Sequence, residues 1–224
     1  MQVEIWADVV CPWCYIGKRR FERALEGFAH RDDVEVVWRS FQLDPGAAPY
    51  DPGRPQVDHA TELGSKYGGG REAGLRMIAQ VTQVATGEGL DVDLAGARGG
   101  NTRTAHRLLQ AALATGGPQL QSAMSERFMR GYFVQREPIA DPDTLVRLAV
   151  DAGLDAEQAA AVASSDAYDA QVAADVAQAA AFGAGGVPFF VVDHRYAVSG
   201  AQPVEMFEQV LARAWAEQAG GSAS

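Results

Sequence analysis

Cys11 and Cys14 are the two cysteines of the chain, and they stand in the spacing C-x-x-C. A bond between them closes almost no loop, so it constrains little of the unfolded chain. Their use is therefore chemical. Pro12 suits the first position of a helix, because its missing N–H has no acceptor there. Cys11 is then the N-cap, and its sulfur is expected to accept hydrogen bonds from the first free N–H groups at the positive end of the helix dipole. Such an environment lowers a cysteine pKa into a range of roughly 3.5–7.5 and favours the thiolate, the nucleophile of thiol–disulfide exchange. Cys14, three residues on, shares the helix face and lies within disulfide reach. The pair reads as an exposed attacking thiol with a resolving thiol behind it. Two other readings compete. Half a zinc site would need further ligands from His30, His59, His106 or His194, and none of these forms an H-x₃₋₅-H pair. Two inert buried cysteines would not explain a proline between them at a helix start.

The elements that position this pair are well punctuated. Residues 3–10 are rich in β-branched types and predict a strand. Residues 14–28 carry Phe21, Ala24, Leu25 and Phe28 at helical spacing, and 34–39 alternate as a second strand. Strand, helix, strand at this spacing predicts a parallel pair with a right-handed crossover. An extended connector follows, with Pro45, Pro49, Pro52, Pro55, Gly46 and Gly53. Helices are expected at roughly 70–86, 101–115, 118–134, 142–152 and 155–182, the last as two pieces. Asn101, Asp141 and Asp155 read as N-caps, and Pro118 and Pro142 as first-turn prolines. After the loop GAGGVP, residues 189–192 and 196–199 read as a hairpin, and Pro203 starts a helix with Val204, Phe207, Val210, Leu211 and Ala214 on one face. Each end has only two strands, too few to stand alone, so the ends must share one sheet. The expected architecture is α/β: a thioredoxin-like fold, βαβ then ββα, with a large all-helical insertion. Its discontinuous core spans 1–58 and 183–218, the insertion 59–182, and a flexible tail 219–224.

The chain has 224 residues, long enough to bury a core without staples. Nineteen Lys and Arg against 29 Asp and Glu leave a net charge of −10. That field repels phosphate backbones and anionic lipid, so neither nucleic acid nor membrane is an expected partner. The start MQVEIWADVV has no basic n-region, and the expected setting is cytoplasmic.

Three segments, CPWCYIGKRRFE, NTRTAHRLLQ and GVPFFVVDHRYAVSGAQP, resemble the DsbA-like thiol oxidoreductases, most closely the FrnE subgroup. The resemblance implies a disulfide oxidoreductase in which Cys11 attacks and Cys14 resolves the mixed disulfide. It also implies a cis bond at Val187-Pro188, with the Val187 backbone pairing to a substrate peptide as a short added strand. Trp13 either offers an apolar contact to substrate or covers the sheet edge. Asp8 either takes the proton of Cys14 as a buried base or is a capping or solvated aspartate. Asn101, Arg103 and His106 either line the cleft or, in the case of His106, form an ordinary interface hydrogen bond. Lys18 and the arginines after it read as the solvated face of the first helix.

Two functions of other classes remain. A glutathione-dependent transferase or isomerase of the kappa or hydroxychromene carboxylate isomerase type shares the split fold but typically carries serine where this chain has Cys11. A binding module with a redox switch would titrate near the cytosolic poise. The expected partner is a protein, peptide or small-molecule thiol or disulfide, with no cofactor beyond glutathione as a redox partner and no metal, in a monomer or homodimer.

Overall fold

The computed structural model describes residues 1–53 and 57–221. Pro55 of the expected connector and 222–224 of the expected tail lie outside the described residues. The elements, in order, are β1 (Gln2–Ala7), α1 (Pro12–Glu26), β2 (Glu35–Ser40), α2 (His59–Tyr67), α3 (Gly70–Gly87), α4 (Arg103–Phe133), α5 (Pro142–Asp151), α6 (Ala156–Ala163), α7 (Asp169–Ala181), β3 (Phe189–Val192), β4 (Tyr196–Ser199) and α8 (Val204–Gly221). The last helix thus runs three residues, 219–221, into the tail expected to be flexible.

The four strands form one sheet in the order β2-β1-β3-β4. β1 pairs in parallel with β2, Ile5 opposite Trp38, and antiparallel with β3, Ile5 opposite Phe190. The two ends of the chain therefore meet at the centre of the sheet, and the six helices α2–α7 are inserted between them. This is the thioredoxin-like α/β architecture with a helical insertion. The period-2 alternation of β1 sorts its residues between two faces. Val3, Ile5 and Ala7 join the main core with Phe21 of α1 and Phe207 of α8, and Phe190 packs against both of those rings. Trp6 points the other way, into a smaller cluster with Ala179 of α7, Phe189 and Val191, and donates its indole N–H to the Asp175 carbonyl oxygen at 2.8 Å.

β2 is a sheet edge, and its backbone is covered rather than left open. The Gln121 side chain accepts from Trp38 N–H at 2.9 Å and donates to Trp38 C=O at 2.8 Å. The Asp175 carboxylate accepts from Ser40 N–H at 2.7 Å and from the Gln110 amide at 2.6 Å.

The helices expected at 101–115 and 118–134 both form, as the two arms of α4 across a break at Gly117 (φ 69°) just before Pro118. Other local expectations change. α2 has no counterpart in the sequence reading. It is a short helix packed closely on α3, where a Cβ on Gly74 would stand 1.9 Å from the Ala60 carbonyl oxygen. Asp141 and Asp155 cap α5 and α6 as expected. Asn101 does not cap α4. Thr102 is the N-cap, and the Asn101 oxygen accepts from Arg103 N–H at 2.9 Å while its amide donates to Ala47 C=O of the connector at 3.0 Å.

Candidate active site

β1 ends at Ala7, and the chain turns through Asp8, Val9 and Val10 into α1. The turn closes with Cys11 N–H donating to Asp8 C=O at 3.0 Å. Cys11 is the N-cap of α1 in extended conformation with Pro12 behind it, as the spacing predicts. Its sulfur, however, makes no cap bond to the helix. It faces across to the loop before β3, where the thiol donates to the Val187 carbonyl oxygen at 3.7 Å. The Val187-Pro188 peptide bond is cis. Gly17, one turn into α1, lets the helix close on this loop: a Cβ there would stand 2.9 Å from Pro188 Cγ.

The thiol is not exposed as expected. Cys11 is 4% accessible and Cys14 1%. Cys11 is covered by the Val187-Pro188 loop, which brings the Val187 carbonyl oxygen against its sulfur. Burial, then the hydrogen bond and charge of Cys11, and the charge of Asp8 push the Cys14 thiol well above its ordinary range; an Asp8 backbone hydrogen bond only partly opposes this. Trp13, by contrast, is among the exposed large apolar side chains.

Asp8 is neither solvated nor a helix cap. It is 1% accessible. Its Oδ2 accepts from Leu43 N–H at 2.8 Å and from the Thr102 hydroxyl at 3.4 Å. Its Oδ1 lies 3.4 Å from His106 Nε2, and His106 is equally buried. The structure thus brings Cys11, Cys14, Asp8, His106, Val187 and Pro188 together from three segments: the β1–α1 junction, α4 and the loop before β3. Asn101 is turned toward the connector, bonded to the Ala47 and Pro45 carbonyl oxygens. Arg103 pairs with Asp169 of α7 at 2.9 Å.

Of the basic residues of α1 expected on a solvated face, Arg23 is exposed, Arg19 and Arg20 are half-buried, and Lys18 is buried. Lys18 pairs with Glu22 and, at 2.8 Å, with Glu126 of α4. Arg19 also pairs with Glu126, and Tyr15 donates its hydroxyl to the same carboxylate at 2.8 Å. Burial alone would raise Glu126. The Arg19 hydrogen bond and the Lys18 charge overcome it and hold the carboxyl at about 2. Arg20 and Arg23 pair with Glu88 at the end of α3, and Arg20 also donates to Ala201 C=O at 2.6 Å. These ion pairs clamp the cysteine-bearing helix to the insertion. No spacing rule linked Lys18 to Glu126 or Asp8 to His106, which is why sequence reasoning missed both. Among the described residues, no group of three His, Cys, Asp or Glu could hold a metal ion, and no helix is long and apolar enough to cross a membrane.

The DSBA-like thioredoxin domain matches residues 2–212. The curated relative YwbO of Bacillus subtilis (strain 168), itself uncharacterized, is 34% identical over 67 residues, which span 30% of this chain and 28% of that protein. A crystal structure of the probable DsbA oxidoreductase SCO1869 from Streptomyces coelicolor is similar at 46% identity and a TM-score of 0.89, covering 97% of this chain and 91% of that one. A 2-hydroxychromene-2-carboxylate isomerase (14% identity, TM-score 0.70, 100% of each chain) shares the fold. So does the cytosolic disulfide reductase DsbM from Pseudomonas aeruginosa, solved with GSH (20% identity, TM-score 0.62, 95% and 98% covered). With a family match over nearly its whole length and a site built where β1 hands over to α1, the chain belongs to the DSBA-like thioredoxin domain family.

Proposed function

We propose that this protein is a thiol–disulfide oxidoreductase of the FrnE type, working through Cys11 and Cys14. The observation that carries the reading is the placement of Cys11: N-cap of α1, its sulfur 3.7 Å from the Val187 carbonyl oxygen, with Cys14 buried behind it. Cys11 as thiolate attacks a substrate disulfide, an S–S bond forms to Cys11, and one substrate thiolate leaves. Cys14 then attacks Cys11 Sγ. The Cys11–substrate bond breaks, the second substrate thiolate leaves, and the protein holds a Cys11–Cys14 disulfide. The protein loses two electrons and the substrate gains them; the reverse sequence oxidises a dithiol.

Asp8 takes the proton of Cys14, which burial keeps as a thiol until it must attack. The Val187 backbone and Trp13 receive the substrate, the first as a strand-like pairing edge and the second as an exposed apolar surface. Residues 1–58 and 183–218 form the redox core, and 59–182 form an insertion that shapes access to it. Glutathione is the small-molecule redox partner in this reading, and fold likeness to a disulfide reductase solved with GSH supports it. Two cysteines at 11 and 14 weigh against the isomerase alternative.

The test is reduction of insulin by dithiothreitol. Cys11→Ser abolishes it, and a Cys11→Ser variant with full activity sinks the assignment. Glutathione conjugation surviving in Cys14→Ser would revive the isomerase or transferase reading.

A further inference from the structure

Below the cysteine pair, α4 sends His106 against Asp8. Both side chains are 1% accessible, and His106 Nε2 lies 3.4 Å from Asp8 Oδ1. Asp8 Oδ1 and both nitrogens of His106 have no hydrogen-bond partner among the described residues. Leaving a buried polar atom unpaired is costly, and an apolar pair of the same shape would be cheaper. Three such atoms together therefore need a reason other than packing. The other carboxylate oxygen is anchored by Leu43 N–H and the Thr102 hydroxyl. One oxygen is held, and the other is free and aimed at the imidazole.

The titratable groups around the pair come from three elements. From α1, Cys14 feels the Asp8 charge. From the end of α4, Tyr132 is raised by burial and by the charges of Asp8 and Glu62, so it stays a phenol and offers no negative charge. From α2, Glu62 acts on Tyr132 and carries His59 at 3.6 Å.

We propose that His106 holds the proton that Cys14 gives up in the resolving step. It acts through Asp8: the proton leaves Cys14 Sγ, crosses the Asp8 carboxylate and rests on the ring at Nε2, leaving imidazolium against carboxylate. The electron pair left on Cys14 makes the bond to Cys11 Sγ, and the pair of the broken Cys11–substrate bond departs on the substrate thiolate. When the Cys11–Cys14 disulfide is next reduced, Cys14 takes the proton back. The inference rests on the reading of Asp8 as proton acceptor.

The test uses the full chain and a chromogenic aromatic disulfide, whose coloured thiolate appears once when Cys11 attacks and again when Cys14 resolves. Wild type, Asp8→Asn and His106→Gln are followed from acid to alkaline pH. Glutamine keeps a donor against Asp8 but cannot hold a proton. His106→Gln is expected to resolve about 10-fold or more slowly near neutral pH, less than the ~10²-fold of losing a base outright, and to recover at alkaline pH where hydroxide takes the proton. The first attack, measured in a Cys14→Ala background, changes less than about twofold, well short of a lost general base. A His106→Gln variant that resolves at the wild-type rate throughout, or that is slowed equally at every pH, overturns the proposal. If Asp8→Asn is slow and His106→Gln is not, only His106 falls; if Asp8→Asn is also fast, the Asp8 reading falls with it. A second measurement needs no variant: a pH indicator reads proton release during wild-type resolution. The second coloured thiolate is expected to appear with no proton released, because His106 keeps the proton until the next reduction, and release in step with that thiolate overturns the proposal.

Discussion

The Cys11 sulfur lies 3.7 Å from the carbonyl oxygen of Val187, a residue 176 positions away in the chain. The two meet because β1 and β3 are neighbours at the centre of the sheet, so the turn after one faces the loop before the other. The S–H donor is weak. Its use is geometric, since it holds the Cys11 sulfur against the Val187 backbone, the edge proposed to pair with a substrate strand.

Cys14 should be the silent thiol of the pair. Burial first, and Cys11 next, hold it above its ordinary range, so little thiolate is present near neutral pH. In a Cys11→Ser background, alkylation of native Cys14 at mildly alkaline pH should run at least about tenfold slower than that of a free thiol, and unfolding should restore it. The linkage has a definite sign. A folded thiol raised above its unfolded value of about 8.5 contributes stability below that pH, and the reduced protein loses it as pH rises toward the raised value. Denaturant titrations of reduced protein across that range read it.

Gly17→Ala should weaken both fold and site. A Cβ would meet Pro188 Cγ at 2.9 Å and Phe190 Cζ at 3.4 Å. Overpacking costs about 1–3 kcal/mol, against a helix gain of about 1 kcal/mol. We expect a net loss of up to about 2 kcal/mol in urea denaturation and slower insulin reduction, because the Val187-Pro188 loop must back away from Cys11. An unchanged rate would mean that the contact is not used.

Glu126→Gln tests the clamp on α1. Its carboxyl is held at about 2 by Arg19 and Lys18 against the cost of burial. A carboxylate depressed in the folded state contributes stability above its unfolded value, lost as pH falls through about 2. The side chain is 30% accessible, so solvent screening cuts the contribution to about 1–2 kcal/mol. Wild type should exceed the variant by that much near neutral pH, and the two melting curves should converge in strong acid.

Gln121→Ala should be among the more damaging changes far from the cysteines. It is fully buried, and its amide satisfies both backbone groups of Trp38 on the β2 edge. Two buried groups left unpaired cost roughly 2–4 kcal/mol. The midpoint of urea unfolding measures it, and Gln121→Glu, which keeps the acceptor and loses the donor, should fall in between.

What the chain alone determined is local, set within single elements and their nearest turns. Cys11 at an N-cap, Pro12 behind it and Cys14 on the same face follow from local backbone rules, and so do the β1–α1–β2 unit and the β3–β4 hairpin. α2 was illegible because its buried face is Ala60 and Gly64, too small to mark a period. The tertiary structure decided the electrostatics. Lys18, Arg19 and Arg20 look like a wet face in sequence, yet Glu126 and Glu88 arrive from distant helices and draw them inward. Asp8 and His106 are 98 positions apart in the numbering and meet only when α4 packs under the β1–α1 turn. A charge in sequence carries no sign of its surroundings, because what burial does to it depends on which partner folding brings within reach.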